Sequence, residues 1–220
     1  MLELGGIEEM NALEELKKHL KPGRVYRRVD FEQWSNAVDR HLKQLVAEGT
    51  LQKMSPGVYY YPAKASFGNV PPEDEQLVRA FLKSDDFLLT SPNLYNSLGV
   101  GTTQLYNKRI VYNHKRHGQF QLGGKVFDFR LKHKFPGELS KEFLLVDLLN
   151  NLNELAEDKE NVLQSVKEKM LKEPASRMRR TVNAYAGERT KTMFNRWSQR
   201  KKDFRQSIKR FPFQNKKPFH

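Results

Sequence analysis

The chain has 220 residues, with 39 Lys and Arg against 26 Asp and Glu, a formal net charge of +13. It has no Cys, which excludes disulfides, zinc fingers, iron–sulfur clusters and thiol nucleophiles together. Charged residues make up 30% beside 11% aromatics, too rich in core formers for wholesale disorder, and no apolar run approaches the roughly 18 residues of a spanning helix, nor is there a charged-then-apolar leader. The expectation is a cytoplasmic, globular, basic protein with no membrane partner.

Taken from the N-terminus, Ile7, Met10, Leu13 and Leu20 recur at helical spacing and predict a helix over 7–20, ended by Lys21-Pro22-Gly23. Residues 24–29 have strand propensity, and Asp30 is placed to cap a short helix through Trp34. Ser35 is the expected N-cap of a longer helix to Glu48, stopped by Gly49. On it Val38, Leu42, Leu45 and Val46 form one apolar face, leaving Asn36, Asp39, Arg40, Lys43 and Ala47 on the wet side. Residues 50–54 and 58–61 are β-prone runs around Ser55-Pro56-Gly57, a hairpin.

Helix, short helix, tight turn, longer helix, hairpin is the order of a winged helix-turn-helix, whose second long helix fits the major groove of duplex DNA. The base-facing side chains would be Ser35, Asn36, Asp39, Arg40 and Lys43, with Gln44 at the margin. Arg27, Arg28 and the hairpin tip, with Lys53, Ser55 and the Gly57 amide, would approach phosphates. Asp39 opposes this unless it pairs with Arg40 or Lys43, or accepts from cytosine. Helix–helix–hairpin modules also mediate protein contacts, so that alternative stays open.

The middle segment opens with Pro71-Pro72 and the acidic turn Glu73-Asp74-Glu75, a helix start. A short helix ends at Gly99, and strands are expected over 108–113, 119–122 and 125–131, the last two turned by Gly123-Gly124. Phe127, Phe129 and Leu131 alternate with Asp128 and Arg130, which predicts one covered face. Ser140 caps an apolar helix through Leu155, and another runs over 159–172. The fold class expected is α+β, with a winged helix-turn-helix over 1–66, a mixed α+β domain over 71–173 and a basic, aromatic, helical extension over 174–220.

The charge is concentrated in that extension: residues 176–220 hold 14 basic side chains and only Glu188 and Asp203 as acids. A cationic tail on a near-neutral body suggests a polyanion or an acidic protein partner. The candidate contacts are Arg177, Arg179, Arg180, Arg196, Arg200, Lys201, Lys202 and Arg205, with Phe194, Trp197 and Phe204 as apolar anchors.

Catalytic constellations are scarce. His114, His117 and His133 have ligand-like spacing but sit among Lys115, Arg116, Lys132 and Lys134, and cations oppose metal binding. Asp128-x-Arg130-x-Lys132 lacks the second carboxylate of a metal-dependent nuclease. No cofactor, metal or enzymatic activity is expected.

The run from Ala37 to Leu51, with Val38-Asp39-Arg40, Leu42, Leu45-Val46 and Glu48-Gly49-Thr50-Leu51, continues into Pro56-Gly57-Val58-Tyr59-Tyr60-Tyr61-Pro62. It resembles AbiEi-type antitoxins of type IV toxin–antitoxin systems and related transcriptional regulators. Leu88 to Gly99 is similar to the opening of their second domain, and together the likeness covers about residues 20–135. The resemblance implies a bacterial DNA-binding protein that represses its own operon and counteracts a nucleotidyltransferase-like toxin. An RNA-binding or nucleic-acid-processing factor using the basic C-terminal segment is the alternative.

Overall fold

The computed structural model describes residues 12–210, apart from the side chains of 204, 205 and 207–210. The chain is mixed α and β and divides into two compact units. One holds residues 12–89 and 108–133, the other 90–107 and 134–210. The segments 1–66, 71–173 and 174–220 do not coincide with these units. The middle segment is shared between both, and the C-terminal segment supplies helices to the second.

In the first unit, α1 occupies 12–18 of the described residues, and Ile7 and Met10 lie outside them. Then come β1 (Arg24–Arg27), a 3-10 turn (Arg28–Phe31), α2 (Val38–Ala47), β2 (Gln52–Ser55) and β3 (Val58–Tyr61). The three strands form one antiparallel sheet in the order β1-β3-β2, Tyr26 pairing with Tyr59 and Gln52 with Tyr60. The β2–β3 turn is Pro56-Gly57, where φ of +74° at Gly57 is a conformation that favours glycine. Leu13, Leu16 and Leu20 pack with Tyr26, Phe31, Val38, Leu42, Leu45 and Leu51 into one core. Val46, expected inside, is half-buried, and His41 is buried instead.

Both short-range helix starts differ from expectation, for local reasons. The 3-10 turn begins at Arg28, before Asp30 rather than after it as a cap, because the Asp30 carboxylate reaches back to the Arg27 amide (2.8 Å) and guanidinium (3.0 Å). α2 begins at Val38, because the Ser35 hydroxyl accepts from the Ala37 amide (3.0 Å) and meets His41 Nδ1 (2.8 Å). Such a local bond holds 35–37 out of the helix. Ser35 is therefore not the N-cap.

The same unit continues through a small ribbon, β4 (Ala63–Ala65) and β5 (Gly68–Val70), that the sequence reading did not include. α3 (Asp74–Leu82) follows, then β6 (Phe87–Thr90), β7 (Arg109–Asn113), β8 (Gly118–Leu122) and β9 (Lys125–Leu131). These strands form a sheet of order β6-β7-β9-β8, parallel between β7 and β9 and antiparallel between β8 and β9. Leu77, Val78 and Leu82 of α3 cover Val111, Leu122, Phe127 and Phe129. Leu131 is exposed, so the covered face ends at Phe129. The β8–β9 turn ties this sheet to the hairpin: the Gly123 amide donates to the Met54 carbonyl at 2.9 Å, and a Cβ on Gly123 would stand 2.7 Å from Met54 Sδ.

The second unit is helical. Thr90 ends β6, Ser91 caps a 3-10 helix over Pro92–Leu98, and Gly99 ends it at φ +59°. α4 (Lys141–Asn151) is capped by Ser140, whose hydroxyl accepts from Phe143, and is buried on nearly every side. α5 (Lys159–Lys172), α6 (Ala175–Tyr185) and α7 (Glu188–Arg210) complete the unit. Met178 and Val182 of α6 and Phe194 and Trp197 of α7 belong to the same core as Leu145, Leu148, Val166 and Tyr95. An apolar helix with a buried carboxylate needs a partner for it. Asp147 accepts from Tyr95 Oη at 2.8 Å, and Asn151 donates to that same Oη at 3.3 Å.

Candidate nucleic-acid interface

The candidate interface is built where the 3-10 turn, the 32–37 loop and α2 converge. The Arg28 amide donates to the Gly57 carbonyl (2.9 Å), which fixes the hairpin turn beside Arg28. The Arg28 guanidinium takes Asp39 in a two-point grip, Nε to Oδ1 at 2.7 Å and Nη2 to Oδ2 at 2.8 Å, while Nη1 donates to Glu32 at 2.7 Å. The hydrogen bonds to Asp39 and Glu32 raise the guanidinium's pKa above its ordinary value. The Arg28 hydrogen bond holds Asp39 below the usual carboxylate range. Asp39 was compatible with a DNA face if it paired with Arg40 or Lys43 or accepted from cytosine; Arg28, eleven residues earlier, pairs with it.

Against this ion-pair cluster lies a hollow of about 520 Å³, lined by Arg28, Glu32 and residues 35–40. Asn36, Asp39, Arg40, Lys43 and Gln44 are all exposed, and Val38, Leu42 and Leu45 face the core. Gln44 donates to Glu48 at 3.0 Å. The surface is polar and close to electrically balanced, with hydrogen-bond donors and acceptors of both kinds. Such a surface suits recognition of base edges better than bulk attraction of phosphate.

Not every expected site residue joins it. Arg27 pairs with Asp30 and lines a different hollow, with Arg24, Gln76, Arg79 and Lys83. Ser55 is buried and its hydroxyl has no hydrogen-bond partner, so it is not a phosphate contact at the hairpin tip. Gly57 is half-buried with its carbonyl engaged, and Lys53 is exposed on β2. Glu32 and His41 were not expected at the site from the sequence. Only the match of opposite charges across the expected turn, Arg28 with Glu32 and Asp39, signalled the cluster.

The C-terminal candidates separate in the same way. Phe194 is 4% exposed and Trp197 9%, so both are core residues of their own unit, not anchors for a partner. Tyr185 is half-buried, edge-on against Phe143 with ring centres 5.4 Å apart. Arg177 pairs with the buried Glu142 at 3.2 Å, and the Lys201 ammonium hydrogen-bonds the Leu171 carbonyl. Arg179, Arg180, Arg196, Arg200 and Lys202 are exposed. The side chains of Phe204 and Arg205 lie outside the described residues.

Asp128 and His114, candidates for chemistry in the sequence, are engaged in ion pairs. Asp128 is held by Arg130 (2.8 Å) and Lys108 (3.6 Å), and His114 lies 3.5 Å from Asp86. Among the described residues no three His, Asp or Glu side chains stand together as a metal site, and no helix is long and apolar enough to cross a membrane. Neither the protein-family models nor the curated proteins compared with the chain give a match.

Proposed function

We propose that the N-terminal module is a winged helix-turn-helix that reads duplex DNA, and that the protein is a DNA-binding transcriptional regulator. Support comes from the order helix, strand, short helix, turn, α2 and hairpin, with the sheet order β1-β3-β2. The observation that carries the reading is the division of α2: its core side is Val38, Leu42 and Leu45, and its other side offers Arg40, Lys43 and Gln44 to solvent, with Asn36 exposed in the loop just before it. Ten helical residues span about 15 Å, enough to cross a major groove about 12 Å wide. Asn suits bidentate contact with adenine and Arg with guanine. The likeness of residues 37–62 and 88–99 to AbiEi-type antitoxins supports a repressor of its own operon that counteracts a nucleotidyltransferase-like toxin.

The test is enrichment from a pool of randomised duplexes, read beside co-purification from the native host. A recovered consensus, together with a nucleotidyltransferase-like protein in the host eluate, is the result expected. A pool that stays random after repeated selection would remove the base-reading role of α2. A consensus without a bound toxin would leave a stand-alone regulator.

A further inference from the structure

α6 and α7 carry 12 Lys and Arg against two carboxylates, and both carboxylates are occupied within the pair of helices. Glu188 takes Lys191 at 2.9 Å and Asp203 accepts from Gln199 at 2.9 Å. Arg179, Arg180, Arg196, Arg200 and Lys202 are exposed and have no carboxylate partner among the described residues. At 100° per residue, Arg189, Arg196 and Arg200 fall within about 40° of one another around α7, a single row. Thr190, Phe194 and Trp197 lie on the buried side of the helix. The row is about 16 Å long, a length over which duplex DNA carries on the order of ten phosphates.

We propose that the exposed arginines of α6 and α7 are a sequence-independent docking surface for the phosphate backbone of duplex DNA. The aromatic rings decide between partners. A single-strand surface stacks bases on exposed aromatics, and protein hot spots are built on Trp and Tyr. Here Phe194 and Trp197 are turned into the core and Tyr185 is half-buried against it, and no ring of these helices is exposed among the described side chains. The cations that remain outside are mostly guanidinium, whose planar fork matches a phosphate oxygen pair. The inference stands independently of the base-reading role given to α2.

The experiment is a salt titration of affinity for a 30-base-pair duplex of random sequence, using the full chain. Each phosphate contact contributes about 0.9 to the slope of log affinity against log salt. The variant R179Q/R180Q/R196Q/R200Q should lower that slope by about 2–4, and R179K/R180K/R196K/R200K should restore most of it. Because the four side chains are exposed, the melting temperature should not move, and that is measured alongside. Loss of a consensus with retention of this slope change would sink only the base-reading role. An unchanged slope in the glutamine variant overturns the docking surface. So does tighter binding of the parent to the matching single strand than to the duplex.

Discussion

Asp74, at the first turn of α3, shows how a single residue holds distant pieces of its unit together. Its carboxylate takes the Lys125 ammonium at 2.6 Å and the Arg109 guanidinium, from β9 and β7. Burial pushes its pKa up, but the two hydrogen-bonded cations more than offset this and leave it below the ordinary carboxylate value. A carboxylate lowered in the folded state contributes stability above its unfolded pKa, near 4, and loses it as pH falls through the folded value. Asp74→Asn should therefore destabilise the protein by about 1–3 kcal/mol at neutral pH, and the gap to the parent should narrow as pH falls below about 4. Denaturant unfolding at pH 7 and pH 3 checks this, and an equal gap at both would contradict it. Asp74 was legible as a helix-start acid; partners 35 and 51 residues away were not, since no local pattern pairs them. Asp39 gives the converse case. It neutralises Arg28 on the candidate DNA face, so Asp39→Asn should raise affinity for all duplexes and steepen the salt slope by about one contact. An affinity and slope like the parent's would mean that Arg28 does not reach DNA.

At the scale of elements, most boundaries followed from spacing and turn residues. The Pro56-Gly57 hairpin, the Gly123-Gly124 hairpin, the Ser140 cap and the Gly99 stop all lie where local chemistry alone placed them. What local chemistry hid was which aromatics are interior. On a helix as basic as α7, Phe194 and Trp197 read as surface anchors because the surrounding charge suggested a docking surface for a polyanion or an acidic partner. Burial against α4 and α5 is a long-range fact, and it reverses their role. The ribbon of β4 and β5 was likewise missed, since its short strands carry little alternation. Trp197→Ala should cost about 3–5 kcal/mol of stability, as removal of a large core ring does. A melting profile equal to the parent's would restore the surface-anchor role and contradict the packing.

On the scale of the whole molecule, charge is divided unevenly between surfaces. The exposed side of α2 is polar and nearly balanced, with Arg28 held by Asp39 and Glu32, whereas α6 and α7 carry unpaired arginines. Base contacts specify and phosphate contacts position, so the first surface would set sequence preference and the second general affinity. The excess of cations in the last 45 residues was legible from composition; the interleaving of 90–107 with the C-terminal helices was not, because a unit assembled from separated segments leaves no shift in composition at its borders. The most direct test compares affinity for a selected duplex with affinity for random duplex, in the parent and in N36A/R40A. The parent should favour the selected duplex by about a thousandfold or more. The variant should lose about 1–3 kcal/mol of that preference per contact, roughly 5- to 150-fold, with random-duplex affinity little changed. A variant that keeps the full preference, or a parent that has none, would contradict the assignment of α2 as the reading element.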